Sequence, residues 1–245
     1  MMYYGGPMRH IPTFLLALAV LSVAGLLWLD APSRGAVPPP EQLVHKNPST
    51  TTLILLRRAE ARRNGKRLDL FQRWTPLSRI SRPLQKSVLA AEDSGFFAHH
   101  GVEWELVLEA AEDNWKAGKT VRGASTITQQ LAKNLYLTPR RSYLRKIREL
   151  FYTWRLERAL SKRRILELYL NVAEWGNGVF GAEAAAQVTF GKSAADLNWD
   201  ESVALAAALP SPRRHPPQDD SRWTARRREW VRQRLLEAFN EKAGR

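Results

Sequence analysis

The chain has 245 residues, which is enough for one domain with an appendage or for two small domains. It contains no cysteine, so disulfides, thiolate nucleophiles and cysteine-ligated metal sites are excluded. The 38 Lys and Arg against 24 Asp and Glu give a formal net charge of +14. Such a surface attracts nucleic acid, anionic lipid headgroups or a phosphorylated substrate, and charge alone does not distinguish these from a merely solvated basic surface.

Near the N-terminus, residues 11–29 form an uncharged, mainly apolar run that directly follows Arg9 and His10. Its 19 residues are sufficient for a membrane-spanning helix, and Trp28 near its end suits a membrane interface. A cleaved signal peptide is the alternative, but its apolar region normally has only about 7–15 residues. We therefore predict an uncleaved signal-anchor, with residues 1–10 in the cytoplasm and the remainder of the chain outside it.

A proline-containing segment, residues 30–48, follows the predicted anchor. Its triplet at residues 38–40 favours an extended, semi-rigid spacer, so we predict a stalk here and a folded domain over residues 49–245. Residues 50–56 are β-branched and apolar, which predicts a short strand, and Asn64-Gly65 predicts a turn.

From about residue 76 onward, apolar residues recur at intervals of three and four, which is the spacing of amphipathic helices. Leu84, Val88 and Ala91 form the first such set, and Ser161 precedes a later one as an N-cap candidate. Gly and Pro interrupt the pattern only between these sets. The body of the chain is therefore predicted to be mainly α-helical with a minor strand element.

An acidic pair, Glu92 and Asp93, follows the first of these helices and precedes aromatic residues, two histidines and Gly101. A carboxylate at a helix end that is partly desolvated has a raised pKa and becomes a better base near neutral pH. The alternative is a pair of helix-terminal acids with a structural role.

Three further clusters carry polar chemistry. Residues 123–130 are dense in hydroxyls and amides that suit sugar hydroxyls or phosphate oxygens, although a capped helix start explains them equally well. Arg145 and Glu149 are spaced to share one helix face, as a surface ion pair also would be. Residues 162–171 have the pattern of an amphipathic packing helix.

Taken in order, the four clusters resemble the motifs of glycosyltransferase family 51, the peptidoglycan glycosyltransferases. The sequence contains ED-x-x-F-x-x-H-x-G at 92–101, G-x-STITQQ at 123–130, RK-x-x-E at 145–149 and K-x-x-ILE-x-YLN at 162–171. The core motifs fall within residues 84–210, and the resemblance covers roughly residues 75–240. It is closest to the monofunctional members, because the chain lacks the Ser-x-x-Lys motif of a transpeptidase domain.

The resemblance implies a fold and an activity. The implied fold is mainly α, a lysozyme-like two-lobed helical domain with an N-terminal transmembrane helix. The implied activity is polymerisation of lipid II into β-1,4-linked glycan strands by inverting transfer, with release of undecaprenyl pyrophosphate. A glycan-cleaving, lysozyme-like enzyme is the alternative, and a membrane-tethered basic binding protein is a third interpretation.

The resemblance also implies residue roles. Glu92 is expected to be the general base, and Glu149 a second catalytic carboxylate that holds nearby cations or binds a divalent metal. The expected substrate-binding residues are Asp93, Ser125, Thr126, Gln129, Gln130, Lys133, Arg141, Arg145, Lys146 and Asn171. Several relatives carry Arg where this chain has Glu109, so pyrophosphate binding from that helix is not expected here.

No cofactor is required by the resemblance, and a divalent cation, Mg²⁺ or Mn²⁺, at Glu149 is a candidate. The expected partners are lipid II, the growing lipid-linked strand, the membrane, and other cell-wall synthases or divisome proteins, with no nucleic acid. The expected location is the bacterial inner membrane, with the catalytic domain on the periplasmic side.

Overall fold

The structure is a computed structural model that describes residues 36–118, 124–138 and 142–243. The predicted anchor at residues 11–29 and the predicted site residue Arg141 lie outside the described residues. Within the described ranges, no helix combines the length and apolar character needed to cross a membrane.

The described residues are mainly helical, as predicted. The helices are α1 (Thr52–Arg63), α2 (Arg82–Glu92), α3 (Trp104–Ala117), α4 (Ile127–Tyr136), α5 (Tyr143–Ala159), α6 (Lys162–Val172), α7 (Ala182–Phe190), α8 (Trp199–Ala208) and α9 (Arg222–Ala243). Short 3₁₀ turns occupy Pro40–Val44, Leu77–Arg79 and Ala194–Asp196.

Hydroxyl side chains begin several of these helices. Ser81, Ser142 and Ser161 each accept a hydrogen bond from a backbone N–H three residues later, which satisfies a donor that has no partner inside the helix. Thr126 does the same for α4. The predicted N-cap at Ser161 is therefore confirmed.

The helices form two packed groups that share one hydrophobic core. Helix α2 packs on α8 and α9, whereas α4 packs on α5 and α6. Leu84 and Val88 of α2 and Leu131 of α4 are fully buried in the same cluster. This arrangement places the C-terminal end of α2 between α4 on one side and α9 on the other.

A small sheet of strands β1 (Phe71–Gln72), β2 (Glu174–Gly176) and β3 (Val179–Phe180) supports the end of α6. The strand order is β1-β3-β2, with β1 parallel and β2 antiparallel to β3. Gly178 makes the tight connection at φ 77°, where a Cβ would lie 2.3 Å from the Asp69 carbonyl oxygen. The predicted minor strand element exists, but it lies at these residues.

The strand predicted at residues 50–56 is wrong, because α1 begins there. Thr51 caps this helix by accepting from the Ile54 N–H at 3.1 Å. Thr52 donates to the Leu135 carbonyl at 2.7 Å, and Ile54 is buried. A capped helix start and burial against α4 therefore override the β propensity of the threonines. The predicted turn at Asn64-Gly65 is confirmed, since Asn64 ends the helix.

Residues 36–48, predicted to be part of a separate stalk, belong to the folded domain. Leu43 is fully buried in the core. The Tyr136 hydroxyl donates to the Pro38 carbonyl at 2.8 Å, and Arg155 of α5 donates to Glu41 at 2.6 Å. The proline triplet therefore sets the backbone of a segment that packs against α4 and α5.

Candidate active site

A cleft of about 1190 Å³ opens where the end of α2 meets α3, the start of α4 and the cleft-facing side of α9. Its wall contains apolar, acidic and basic side chains together. The residues that line it include Glu92, Asp93, Ser125, Gln130, Trp223, Arg227, Trp230 and Arg234.

Glu92 is the last residue of α2, and its side chain is only 10% exposed. Its Oε2 accepts a hydrogen bond from Nε2 of Gln130 at 2.7 Å. Its Oε1 is buried and accepts no hydrogen bond from any residue that the structure describes. Burial is the main cause that raises the pKa of the Glu92 carboxyl, while Gln130, Arg227 and Lys133 act in the opposite direction.

The amide of Gln130 is oriented by a second buried side chain. The Tyr169 hydroxyl donates to Oε1 of Gln130 at 2.9 Å, so the amide presents its NH₂ group to Glu92. Burial raises the pKa of Tyr169 well above its usual range, so the hydroxyl remains a neutral donor. Tyr169, Gln130 and Glu92 therefore form a chain of hydrogen bonds that runs from the core to the cleft.

Arg227 of α9 lies on the other side of Glu92. Its Nη2 is 3.7 Å from Glu92 Oε1, which is close enough for electrostatic attraction and too far for a good hydrogen bond. The guanidinium stacks on the Trp230 ring at 4.0 Å. Burial lowers the pKa of Arg227, and the attraction of Glu92 partly offsets this.

Both carboxylate oxygens of Asp93, the residue after Glu92, form hydrogen bonds within the protein. Its Oδ2 accepts from the Ile127 N–H at 2.8 Å, and its Oδ1 is 2.9 Å from Nε2 of His99. Nδ1 of His99 accepts from the Gly101 N–H, so in the neutral ring Nε2 carries the proton that is donated to Asp93. Asp93 thus ties the first motif to the start of α4.

A group of cations surrounds the buried Glu149 on α5. Its Oε2 is 2.5 Å from Arg145, and its Oε1 is 2.5 Å from Nζ of Lys146. Lys133 of α4 is exposed to solvent yet lies among many protein atoms, and this desolvation lowers its pKa. Glu149 and Glu92 both act to raise the pKa of Lys133, so its ammonium is within electrostatic reach of both carboxylates.

The remaining predicted site residues have different surroundings. Ser125 is exposed and lines the cleft. Thr126 and Gln129 are buried, and their side chains form the capping box of α4. Asn171 is fully buried and exchanges two hydrogen bonds of 2.8 Å with the Thr75 backbone. The structure therefore brings Ser125, Thr126 and Gln130 to the cleft wall, although Thr126 also caps α4, and it places Gln129 and Asn171 in the framework.

The residues around Glu149 do not fit a divalent metal, because both carboxylate oxygens already contact cationic side chains. A different group, Asp93, His99 and Glu103, has ligand atoms within 4.8 Å of one another. A cation there would have to displace the hydrogen bond between Asp93 and His99.

Sequence reasoning missed the cleft-facing residues of α9. Trp223, Arg227, Trp230 and Arg234 are spaced by four, three and four residues, so they share one helix face. This spacing was visible in the sequence. The spacing of Val231, Leu235 and Phe239 also predicts this helix, but these residues mark a different face.

The comparisons with known proteins agree with this geometry. The family model described as Transglycosylase matches residues 63–236, which is more than half of the chain. A biosynthetic peptidoglycan transglycosylase of Rhodospirillum centenum is 44% identical over 230 residues, 93% of this chain and 93% of the relative. The protein of that name from Dechloromonas aromatica is 50% identical over 167 residues, 68% of this chain and 72% of the relative.

A third relative of the same name, from Methylobacillus flagellatus, is 44% identical over 192 residues, 78% of this chain and 84% of the relative. The matched regions contain the cleft, Glu92 and the Glu149 cluster, so the similarity covers the site as well as the fold. The chain belongs to the transglycosylase family and is a peptidoglycan glycosyltransferase.

Proposed function

We propose that this enzyme joins lipid II units into β-1,4-linked glycan strands by inverting glycosyl transfer, with Glu92 as the general base. The observation that carries the proposal is the state of the Glu92 carboxylate. It is buried beside a cleft, its Oε2 is held by Gln130, and its pKa is raised. A carboxylate in this state takes up a proton more readily near neutral pH than an exposed one.

In the proposed step, the 4-hydroxyl of the incoming lipid II attacks the anomeric carbon of the growing strand. The new carbon–oxygen bond forms as the bond to the pyrophosphate oxygen breaks, and the pyrophosphate leaves with the electron pair. The hydroxyl proton passes to Glu92. Because Oε2 already accepts from Gln130, Oε1 is the oxygen that takes the proton.

The leaving pyrophosphate gathers negative charge, which cations stabilise. Lys133, Arg145 and Lys146 supply positive charge on the α4 and α5 side of Glu92. Glu149 holds Arg145 and Lys146 in place rather than reacting itself, because both of its oxygens are occupied by these cations. The net charge of +14 favours approach of an anionic lipid substrate.

The proposed location follows from the substrate. Lipid II is held in a membrane, and residues 11–29 have the composition of a spanning segment. We therefore place the enzyme at the bacterial inner membrane by a single anchor, with a lysozyme-like, two-lobed catalytic domain on the extracytoplasmic side. Other cell-wall synthases are proposed partners.

The test is to incubate detergent-solubilised protein with labelled lipid II and to separate the products on a gel. The parent is expected to give a ladder of glycan polymers, and Glu92→Gln to give none. Glu229→Gln is the matched control, because Glu229 lies on α9 with a side chain that is 59% exposed. Shorter glycan from purified cell wall, without polymer from lipid II, would replace polymerisation by the glycan-cleaving alternative.

A further inference from the structure

Two tryptophans of α9 line the cleft without any assigned role. Trp223 is 40% exposed and Trp230 is 37% exposed, and both lie on the face that carries Arg227 and Arg234. They fall outside the four motifs, which end at residue 171. Large aromatic surface left open in a polar cleft is typical of a ligand site, where a few polar groups fix the orientation of the ligand.

The ring of Trp223 is held in place from one side. It stacks on His215 with 4.1 Å between ring centroids and 21° between planes. His215 is itself fixed, because its Nδ1 lies 2.8 Å from Oδ2 of Asp219. One face of the indole is thus covered, and the exposed remainder of the ring faces the cleft. A rigid aromatic face is a suitable platform for the C–H face of a pyranose ring, because the π system is negative and the C–H groups are weakly positive.

The cations on the same helix face complete the platform. Arg227 stacks on Trp230 at 4.0 Å, and Nη2 of Arg234 donates to the Ser94 hydroxyl at 3.2 Å. Aromatic rings therefore alternate with guanidinium groups along the cleft wall. The rings suit the apolar face of a sugar, and the guanidinium groups suit its hydroxyl and acyl oxygens.

The position of Glu92 indicates whether the α9 side of the cleft would bind the donor sugar or the acceptor sugar. Oε2 of Glu92 faces Gln130 of α4, whereas Oε1 faces Arg227 of α9. In an inverting transfer the attacking hydroxyl and the leaving group lie on opposite sides of the anomeric carbon. The cations proposed for the leaving group are on α4 and α5, so the attacking hydroxyl approaches from the α9 side. Oε1 is buried and lies 3.7 Å from Arg227, so side chains that cover it must move before the arriving hydroxyl reaches it.

We propose that Trp223, with Trp230 beside it, is the platform that binds the acceptor sugar, an N-acetylhexosamine with a free 4-hydroxyl. The proposal rests on the proposed polymerase function and deepens it by assigning the acceptor side of the cleft to α9. Trp223 positions the sugar ring, and Glu92 removes its proton.

The first experiment separates acceptor binding from catalysis. A lipid-linked glycan oligomer is supplied as donor at a fixed, saturating concentration, and lipid II is varied as acceptor. Trp223→Ala is expected to raise the KM for lipid II roughly tenfold, the usual loss when a central aromatic anchor is truncated, with kcat changed much less. The KM for the donor is expected to stay unchanged, and Trp223→Tyr is expected to recover most of the loss.

The matched control is Trp199→Ala. Trp199 is 43% exposed and contacts Phe239 of α9, but it is not part of the cleft wall. It is expected to leave both KM values unchanged. Circular dichroism and thermal melting check that each variant folds. An unchanged KM for lipid II in folded Trp223→Ala, or an equal rise in the donor KM, would overturn the proposal while leaving the polymerase function intact.

The second experiment does not depend on activity. Oligomers of β-1,4-linked N-acetylglucosamine are titrated into the Glu92→Gln protein, and binding is followed by saturation-transfer NMR. The Glu92→Gln protein is expected to bind these oligomers. A second substitution, Trp223→Ala, is expected to abolish the binding, whereas Trp199→Ala in the same background is expected to retain it. Equal binding to all three proteins contradicts the platform. Platform-dependent binding by a parent protein that makes no polymer would support the sugar site while the proposed reaction failed.

Discussion

Two buried carboxylates, Glu92 at the cleft and Glu149 on α5, have opposite surroundings. Glu149 is 4% exposed, and both of its oxygens meet cationic side chains at 2.5 Å. Glu92 is 10% exposed, yet among the described residues it accepts one neutral hydrogen bond, and the nearest cationic side chain there, Arg227, is 3.7 Å away. Burial therefore raises the pKa of Glu92. Each oxygen of Glu149, in contrast, forms an ion pair with a cationic side chain.

The difference shows how one helical domain gives two acids separate electrostatic environments. A buried charge that is fully paired organises its partners, and removing it leaves those partners uncompensated. A buried charge that is only partly paired is costly to keep ionised, so it readily takes a proton. The same substitution, carboxylate to amide, is therefore expected to have different consequences at the two positions.

The largest expected effect is the loss of activity in Glu92→Gln. Removing a general base costs about 10²–10⁴-fold in rate, and initial rates of polymer formation from lipid II measure it. The loss is expected in kcat with binding of lipid II retained. A variant with more than about a tenth of the parent rate would contradict the assignment of Glu92 as the base.

The same variant is expected to be more stable than the parent at neutral pH. The pKa of Glu92 is raised in the folded state above its unfolded value of about 4.3, so the folded parent loses stability as pH rises through this interval. Glu92→Gln removes that loss. Thermal melting is expected to show a Tm a few degrees higher at pH 7–8, with the gain vanishing below about pH 4, where the parent carboxyl is protonated in both states. An equal gain at every pH would exclude ionisation as the cause.

The Glu149→Gln variant, unlike Glu92→Gln, is expected to be less stable than the parent. Glu149→Gln leaves Arg145 and Lys146 without their counter-charge, and we expect a loss of about 2 kcal/mol, lower than for a fully buried pair because both cations are partly exposed. We expect the rate to fall by about 10²-fold, since the cations that face the leaving group lose their positions. Urea unfolding and initial rates measure the two effects. A stabilised Glu149→Gln variant would remove the contrast with Glu92.

Much of the fold was predictable from local signals. The periodic apolar sets and the capping residues at Ser161 and elsewhere mark helices whose local preference and packing agree. Residues 50–56 were misassigned because threonines favour strands, whereas here Thr51 caps a helix and Thr52 bonds to α4 across the core. That tertiary contact is 83 residues away in sequence and leaves no local signal.

The candidate site was predictable as a set of motifs but not as a geometry. The motifs identified Glu92, Gln130 and Glu149, but they gave no means of separating residues that face the cleft from those that build its frame. Gln129 and Gln130 are neighbours in sequence, yet the first caps α4 and the second bonds to Glu92. Arg227 was missed because its approach to Glu92 depends on how α9 packs against α2.

A smaller effect is expected from Arg227, the cationic side chain that lies near Glu92. Arg227 lowers the pKa of Glu92, so Arg227→Ala is expected to raise that pKa further. Because the base must be ionised, the acid limb of the pH–rate profile is expected to shift to higher pH. The loss of activity is expected to be largest on this acid limb and to shrink as the pH rises. Arg226→Ala, a neighbouring exposed cation, is the control. A uniform loss at every pH would indicate that Arg227 binds substrate without tuning the base.

The smallest expected effect tests the hydrogen-bond chain that reaches Glu92 from the core. Tyr169→Phe removes the donor that fixes the Gln130 amide, at a cost of about 1 kcal/mol in stability. Without it, the amide can rotate and present its oxygen to the Glu92 carboxylate, which repels it. We therefore expect kcat to fall severalfold with the KM for lipid II unchanged.

The control for this chain is Tyr143→Phe, since Tyr143 is 94% exposed and its hydroxyl meets solvent. The acid limb of the pH–rate profile gives a readout that a general loss of packing would not move. Losing the Gln130 hydrogen bond, which lowers the pKa of Glu92, is expected to shift this limb to higher pH in Tyr169→Phe. An unshifted limb with a lower rate would mean that Tyr169 only supports the core. The Gln130 amide would then hold its orientation toward Glu92 without the tyrosine.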